Sequence, residues 1–312
     1  MAMHRGIVTV TLNPSIDVTL WLDGLDPDRA NRVEAEAREA GGKGINVSRV
    51  VLSFGLDSLC LAVAGADNSR EFARFLEDAG LRYEMLHVEG AVRENLTLRT
   101  GDQTVKLNRR GPSMTTMMIG ALMALIRSHI HPGDIVVFAG SLPEHVDVQD
   151  YAELILAVKN AGALVAVDSD ALKLEDYKMI RPWLIKPNIH EARHILEIKD
   201  DSPLAVAEAA RKLREIGVEN AMISMGGNGL LCAAEEGVAH AATPPVEVKS
   251  TVGAGDSALA GFIVGFVKGW NLQECVRMAA ACGTASAMQD GTAVASKDIA
   301  ASLLDGVQVK LL

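Results

Sequence analysis

Late in the chain stands Ser250-Thr251-Val252-Gly253-Ala254-Gly255-Asp256-Ser257, followed by the small apolar run Ala258-Leu259-Ala260-Gly261-Phe262-Ile263. These residues suit phosphoryl transfer. Gly253 and Gly255 let backbone N–H groups approach an anion closely. The run behind them opens a helix, whose first N–H groups lack internal partners and attract negative charge. Asp256 stands at that helix start, where a carboxylate can take the proton of an attacking hydroxyl. Two other readings use the same letters. Gly253 to Ala258 fits Gly-x-Gly-x-x-Ala, a variant of the dinucleotide fingerprint, although that fingerprint usually belongs to an early strand–helix unit. An acid at a helix start also serves simply to complement the dipole.

Four further segments carry chemistry. Gly41-Gly42-Lys43-Gly44-Ile45-Asn46 precedes a helical stretch. No Ser or Thr follows the lysine, so it is not a Walker A loop. It offers close backbone approach, a cation and an amide to a polyhydroxy or anionic ligand; a tight turn with an exposed lysine is the plainer account. Asn13-Pro14-Ser15-Ile16-Asp17 follows a strand directly, and Asp17 has two acceptor oxygens for vicinal hydroxyls. An ordinary proline turn would read the same way. Lys186-Pro187-Asn188-Ile189-His190-Glu191 enters a helix with Asn188 and Glu191 on one side. Oxygen ligands there suit Mg²⁺, held directly or through water, and the same pair forms a capping box; the two readings are compatible. Ser224-Met225-Gly226-Gly227-Asn228-Gly229 is a glycine turn that could face a nucleotide or serve only as a turn. Arg32, Arg93, Lys106, Arg109 and Arg110 fall in one non-helical region. Arginine suits bidentate phosphate binding, and a solvated hairpin face carries such charge as well.

Composition narrows the classes. With 312 residues the chain has room for one large domain with an insertion, or for two. A net charge of -10 argues against non-specific nucleic-acid binding, while leaving room for a local basic cluster around a phosphorylated metabolite. No run of eighteen apolar residues and no leader pattern is present, so a cytoplasmic protein off the membrane is expected. Cys60, Cys232, Cys275 and Cys282 have no Cys-x-x-Cys spacing and read as buried thiols.

The elements that must position these residues alternate. Strands are expected at 6–12, 59–63, 135–139, 164–168, 183–186 and 221–225. Helices are expected at 45–54, 69–79, 115–130, 148–160, 189–196, 203–216, 254–268 and 272–289. Hairpins are expected at 93–100 with 104–108 around Gly101-Asp102, and at 230–234 with 238–242. Such alternation predicts an α/β fold with a mostly parallel sheet covered on both faces, and ligands beyond the carboxyl ends of its strands. Segments at about 17–40 and 89–110 read as a small β-rich insertion, either a lid over the cleft or a surface hairpin.

Together these segments resemble the PfkB family of carbohydrate kinases, in the ribokinase-like superfamily, from Thr11 to about Gly291. Gly41-Gly42-Lys43-Gly44-Ile45-Asn46-Val47-Ser48 is similar to the family's first signature, and Ser250 to Asp256 to its second. Thr11-Leu12-Asn13-Pro14-Ser15-Ile16-Asp17, Asn31-Arg32-Val33 and Ala139-Gly140-Ser141-Leu142-Pro143 are similar to the phosphosugar branch of 1-phosphofructokinases and tagatose-6-phosphate kinases. Ser250 stands where ribokinases and fructokinases commonly carry Asp. The resemblance implies a ribokinase-like three-layer α/β/α sandwich with a β-sheet lid, in a single kinase domain over 1–312. It implies ATP-dependent phosphorylation of a phosphosugar, first D-fructose 1-phosphate, with tagatose 6-phosphate and fructose 6-phosphate as alternatives.

Roles follow by position. Asp256 would be the base, and Gly253, Ala254 and Gly255 the anion hole. Asp17, Gly42, Lys43 and Asn46 would hold the sugar, and Arg32, Arg93, Lys106 and Ser141 its phosphate. Lys186, Asn188, Ser224, Gly226, Gly229 and Thr251 would line the ATP site, with Asn188 and Glu191 organising Mg²⁺ through water. The lid would join a homodimer. The family pattern is broken at Asn108-Arg109-Arg110-Gly111-Pro112, with two arginines before Gly-Pro, and at Ser113-Met114-Thr115, which lacks an acidic helix start. A nicotinamide oxidoreductase and a non-catalytic sugar- or nucleotide-binding regulator are the competing classes.

Overall fold

Two sheets of unequal character arise from the alternation. In the computed structural model, which describes residues 5–101 and 103–312, β1 (Ile7–Thr11) leads to two strands outside the main layer, β2 (Ser15–Leu22) and β3 (Val33–Gly41). The chain returns through α1 (Lys43–Ser53), β4 (Leu59–Gly65), α2 (Ser69–Asp78) and β5 (Arg82–Val88), then leaves again as β6 (Arg93–Arg99) and β7 (Thr104–Asn108). Alternation resumes with α3 (Thr116–Arg127), β8 (Ile135–Ala139), α4 (Val148–Asn160), β9 (Leu164–Asp168), α5 (Leu174–Ile180) and β10 (Leu184–Ile185). Next come α6 (Ile189–Ile195), α7 (Pro203–Glu215) and β11 (Asn220–Ser224). A hairpin of β12 (Leu230–Ala234) and β13 (Gly237–Ala242) precedes α8 (Ala254–Val267), α9 (Leu272–Ala287), α10 (Lys297–Leu303) and β14 (Gln308–Leu311).

The main sheet runs β14-β13-β12-β11-β10-β9-β8-β1-β4-β5 among the described residues. It is parallel from β11 to β5 and antiparallel at the β12–β14 edge. Both faces are covered, which is why β1 and β8 are buried at every residue. Val8 and Val10 point into a cluster with Leu122 of α3, Ile155 of α4 and Leu213 of α7. Ile7 points to the opposite side, among Val50 of α1, Phe262 of α8 and Val276 of α9. This is the expected three-layer α/β/α sandwich. The chain crosses from one half of the sheet to the other around β1, and open α/β sheets bind ligands at such a switch.

The second sheet has the order β3-β2-β6-β7. β2 and β6 pair in parallel with Asp17 beside Asn95. One side of this sheet is anchored: Ile16 and Val18 pack with Phe72 and Leu76 of α2. Residues 15–41 and 93–108 therefore make the β-rich insertion expected at about 17–40 and 89–110. Four elements were not foreseen. β5 alternates charge and apolar residues as a sheet edge does, α5 and α10 are too short for a clear period, and β14 is a short terminal edge. The strand expected at 183–186 shrinks to Leu184–Ile185. Thr100 N–H donates to the Gln103 carbonyl across the expected hairpin turn; Asp102 itself lies outside the described residues. The four cysteines are buried and free. Among the described residues no helix is long and apolar enough to cross a membrane.

Candidate active site

The glycine strings bend the chain where side chains would not fit. Gly253 caps α8 with φ +76°, and no side chain caps that end. Ala254 N–H turns back to the Thr251 carbonyl at 3.4 Å, which leaves the N–H groups of Gly255 and Asp256 available to an anion. α8 follows an antiparallel hairpin and a loop, not a buried parallel strand, so residues 253–258 do not form a dinucleotide-binding unit. Gly42 caps α1 with φ +133°, and a Cβ there would press on the Thr11 methyl at 2.9 Å. Gly44 lies directly on the Thr11 hydroxyl. These glycines let α1 start tight against β1, which sets Lys43 and Asn46 at the switch.

Asp256 lies in the first turn of α8 and is buried. Its Oδ2 accepts a hydrogen bond from Asn46 Nδ2 at 2.8 Å. Burial pushes its carboxyl up to about 6, helped by the charge of Asp168; Asn46, Lys43 and Lys186 act the other way. Asp168 ends β9 and is enclosed between two ammonium groups. Lys43 Nζ is 3.0 Å from its Oδ1, and Lys186 Nζ is 3.0 Å from its Oδ2. Burial alone would raise the Asp168 carboxyl, but the two lysines hold it below its ordinary value. Burial works to lower Lys43, and Asp168 overrides it, so Lys43 holds its proton more tightly than usual. Lys186 Nζ sits where a Cβ on Gly255 would meet it at 2.9 Å, directly against the start of α8. Asp168 was not among the residues expected from sequence. Its one signal was position, as the last residue of an apolar strand at the end where ligands bind.

A second polar cluster joins the smaller sheet to the main one. Asp17 Oδ1 accepts from Ser15 Oγ at 2.7 Å and from Asn95 Nδ2 at 3.0 Å. Its carboxylate fills the space where Gly41 would carry a Cβ. Burial raises the Asp17 carboxyl, with Ser15 and Asn95 opposing. Arg93 donates to the Asn13 carbonyl at 3.2 Å, and Asn13 Nδ2 donates to Ser141 Oγ at 3.1 Å. Arg93 Nε and Asn13 Oδ1 are buried without a hydrogen-bond partner, a pointer to a polar ligand. Lys106 shares the sheet side of Asp17 through the register Lys106–Thr97, but it is exposed. Arg32 lies apart from these groups, lining a hollow at the lid tip with Asp23, Asp26 and Glu34. Arg109 and Arg110 make surface pairs with Glu94 and Glu144.

The capping box at α6 is formed. Asn188 Oδ1 accepts from His190 and Glu191 N–H, each at 2.9 Å, and Glu191 Oε2 accepts from Asn188 N–H at 2.8 Å. Among the described residues no three His, Cys, Asp or Glu gather as a metal cage. With Asn188 Oδ1 engaged, this donor set fits an ion carried by phosphates and water with Glu191 behind it. Ser224 ends β11 beside Asn188, bridged to it in parallel. Gly226 opens an exposed turn with φ +58° and free space around it. Gly229 is explained locally, because its Cβ would collide with the Ala241 carbonyl. Thr251 is exposed before Gly253, and Ser250 Oγ ties that loop to the Gly291 carbonyl at 2.7 Å.

This arrangement has relatives. The pfkB family carbohydrate kinase profile matches residues 9–299. The 1-phosphofructokinase of Bacillus subtilis is 33% identical over 306 residues, covering 98% of this chain and 100% of that one. The tagatose-6-phosphate kinase of Staphylococcus epidermidis is 28% identical, covering 92% of this chain and 93% of that one. Phosphofructokinase-2 of Escherichia coli in complex with substrates and products superposes with a TM-score of 0.89 at 28% identity, over 96% of this chain and 98% of that one. Its tetrameric inhibited form superposes with a TM-score of 0.86 at 26% identity, over 97% and 99%.

Proposed function

The chain belongs to the pfkB family of carbohydrate kinases, and from that premise we propose that it phosphorylates a phosphosugar with ATP, converting D-fructose 1-phosphate to D-fructose 1,6-bisphosphate. The observation that carries the reading is one juxtaposition. A buried carboxylate, Asp256, stands in the first turn of an uncapped helix, with the Lys186 ammonium against Gly255.

In this reading the acceptor hydroxyl gives its proton to Asp256 as its oxygen attacks the γ-phosphorus. The new O–P bond forms while the bond to the ADP oxygen breaks. The N–H groups at Gly253, Ala254 and Gly255, with Lys186, neutralise charge on the transferring phosphoryl. A carboxyl raised to about 6 suits a base that must be free near neutral pH yet bind the proton during transfer. Asp17, Gly42 and Asn46 hold the sugar, and Lys43 stands beside it. Arg93, whose Nε is buried and unpaired, and Ser141 hold the existing phosphate, and Lys106 closes over it with the lid. ATP lies along Lys186, Asn188, Ser224, Gly226 and Thr251. Asn188 and Glu191 would hold Mg²⁺ through water, and the ion would supply charge neutralisation for the ATP phosphates. Arg32 has a part in this scheme only across a subunit boundary.

One kinase domain spans 1–312, with the lid at about 17–40 and 89–110. Exposed Trp21, Val33 and Leu107 on the lid support its use as a homodimer surface, and a cytoplasmic location suits an enzyme of soluble phosphosugars. The test is ADP release with fructose 1-phosphate, tagatose 6-phosphate, fructose 6-phosphate and unphosphorylated hexoses. Fructose 1-phosphate should give the highest kcat/KM. A preference for an unphosphorylated hexose would overturn the proposal.

A further inference from the structure

Asp168 has no part in the reaction as written above, yet it sits at the centre of the charged groups. It is 2% exposed; Lys43 Nζ donates to its Oδ1 at 3.0 Å, and Lys186 Nζ forms an ion pair with its Oδ2 at 3.0 Å without hydrogen-bonding geometry. Asp256, nearby, takes its hydrogen bond from a neutral amide, Asn46 Nδ2. That division needs a cause. Two ammonium groups and a carboxylate base enclosed together would otherwise pair. An ammonium in contact with Asp256 would occupy the oxygen that receives the proton and favour its charged form. Low dielectric would make that contact hard to break.

Resting on the kinase reading, we propose that Asp168 is a positioning residue that claims both lysines, keeping them off the base and holding Lys186 over the first amides of α8. Two cations against one fixed carboxylate leave net positive charge for the incoming phosphoryl, while the base keeps a neutral partner. The groups facing Asp256 are Asn46 and Lys43 from α1, Asp168 from β9, and Lys186 from the segment after β10; Glu191 of α6 acts at one remove, through Lys43. Of these, burial and Asp168 raise the Asp256 carboxyl, and the lysines lower it without touching it. A carboxylate serving only to neutralise the core would not need to engage one lysine with each oxygen. Nor would it place one of them against Gly255, where any side chain would meet the ammonium.

The experiment uses the full chain, after the wild type has been shown to turn over a phosphosugar. Asp168→Asn keeps the shape and removes the charge. It should lower kcat about 10²-fold while the acceptor KM moves less than ~3-fold. The acid limb of kcat/KM should move about one pH unit lower, because the lost carboxylate and the freed ammonium groups both favour ionised Asp256. Asp168→Asn combined with Lys186→Met should be no slower than Asp168→Asn alone, since Lys186 has already left its place. An unmoved acid limb with additive losses would overturn the proposal and leave Asp168 as a core filler. If Asp168→Asn does not fold, Asp168→Asn with Lys43→Met removes one charge of each sign. The limb should still fall, because Lys186 is free to reach Asp256, and an unmoved limb overturns the proposal. A wild type inert toward every phosphosugar would overturn the kinase reading and this proposal with it; normal wild-type turnover with an unmoved limb overturns this proposal alone.

Discussion

The two walls of the cleft place charge on opposite terms. On the α/β side, Lys186, Asp168 and Asp256 are buried, and their partners are other buried groups. On the lid side, β7 is largely exposed and β3 is exposed over most of its length. Ion pairs there, such as Arg109–Glu94, reach the solvent at one end at least, the Arg109 side chain being 63% exposed and Glu94 28%. A buried charge is stable only while every partner is present, because removing one leaves the other unsolvated. An exposed pair is screened and contributes about 0–1 kcal/mol. In the proposed reading, chemistry that needs fixed electrostatics is thus set in the sandwich. In the same reading, recognition that must open and close falls on a sheet whose exposed strands tolerate rearrangement.

The sharpest way to break this contrast is Asp256→Asn. If the sandwich wall carries the chemistry, kcat should fall ~10²–10⁴-fold. Stability should move the other way. The carboxyl is raised from 3.8 to about 6 in the folded protein, so the folded state prefers its neutral form. That contribution is complete below about pH 3.8 and lost as pH rises through about 6. At pH 8 the ionised group is a cost, and asparagine should raise Tm by roughly 1–4 °C. Calorimetry beside a steady-state assay reads both. Retained turnover, or a fall in Tm, would make Asp256 a structural acid of α8.

A smaller effect tests the joint between the walls. Arg93 starts β6 on the lid, but its guanidinium reaches Asn13 above the sheet. Arg93→Ala should raise KM for the phosphosugar ~10–100-fold, leave KM for ATP within about twofold, and change kcat little, since a phosphate contact far from the reacting bond binds ground and transition states alike. Equal effects on both substrates would put Arg93 outside the acceptor site.

The same contrast explains what the sequence reveals. Residues 135–139, 148–160, 164–168 and 230–234 are found at their expected bounds, because doubly covered strands and their helices appear as unbroken or periodic apolar runs. The lid reads only as β-rich. Val33-Glu34-Ala35-Glu36-Ala37-Arg38-Glu39 alternates charge with small apolar residues and buries almost nothing, so β3 has no apolar signal. Within the site, the glycines are visible for different reasons: close approach to Thr11 at 42 and 44, a positive φ of +76° at 253, and the Lys186 ammonium against 255. Gly229 shows the limit of that logic, since its letter answers to the Ala241 carbonyl. Asp168 shows the opposite limit. An aspartate after an apolar strand has no pattern of its own, and its meaning arises only when folding brings Lys43 and Lys186 to it.

The smallest expected effect lies where lid and sandwich touch. Asp290 stands between Arg99 of β6 at 3.7 Å and Lys249 at 3.4 Å. Its side chain is 65% exposed, so water competes for both pairs. Nearby, Glu39 of β3 pairs with Arg49 at 2.7 Å and meets the Thr292 hydroxyl. If exposed pairs are incidental and the lid is anchored by Ile16 and Val18 against Phe72 and Leu76, Asp290→Ala should shift Tm by less than about 1 °C. The acceptor KM should change by less than about twofold, and any change should fade between low and physiological salt, since exposed pairs are screened over about 8 Å. A tenfold loss of kcat in Asp290→Ala, persisting at high salt, would mean that lid closure is governed by this charge contact. The lid would then share the electrostatic economy of the buried wall.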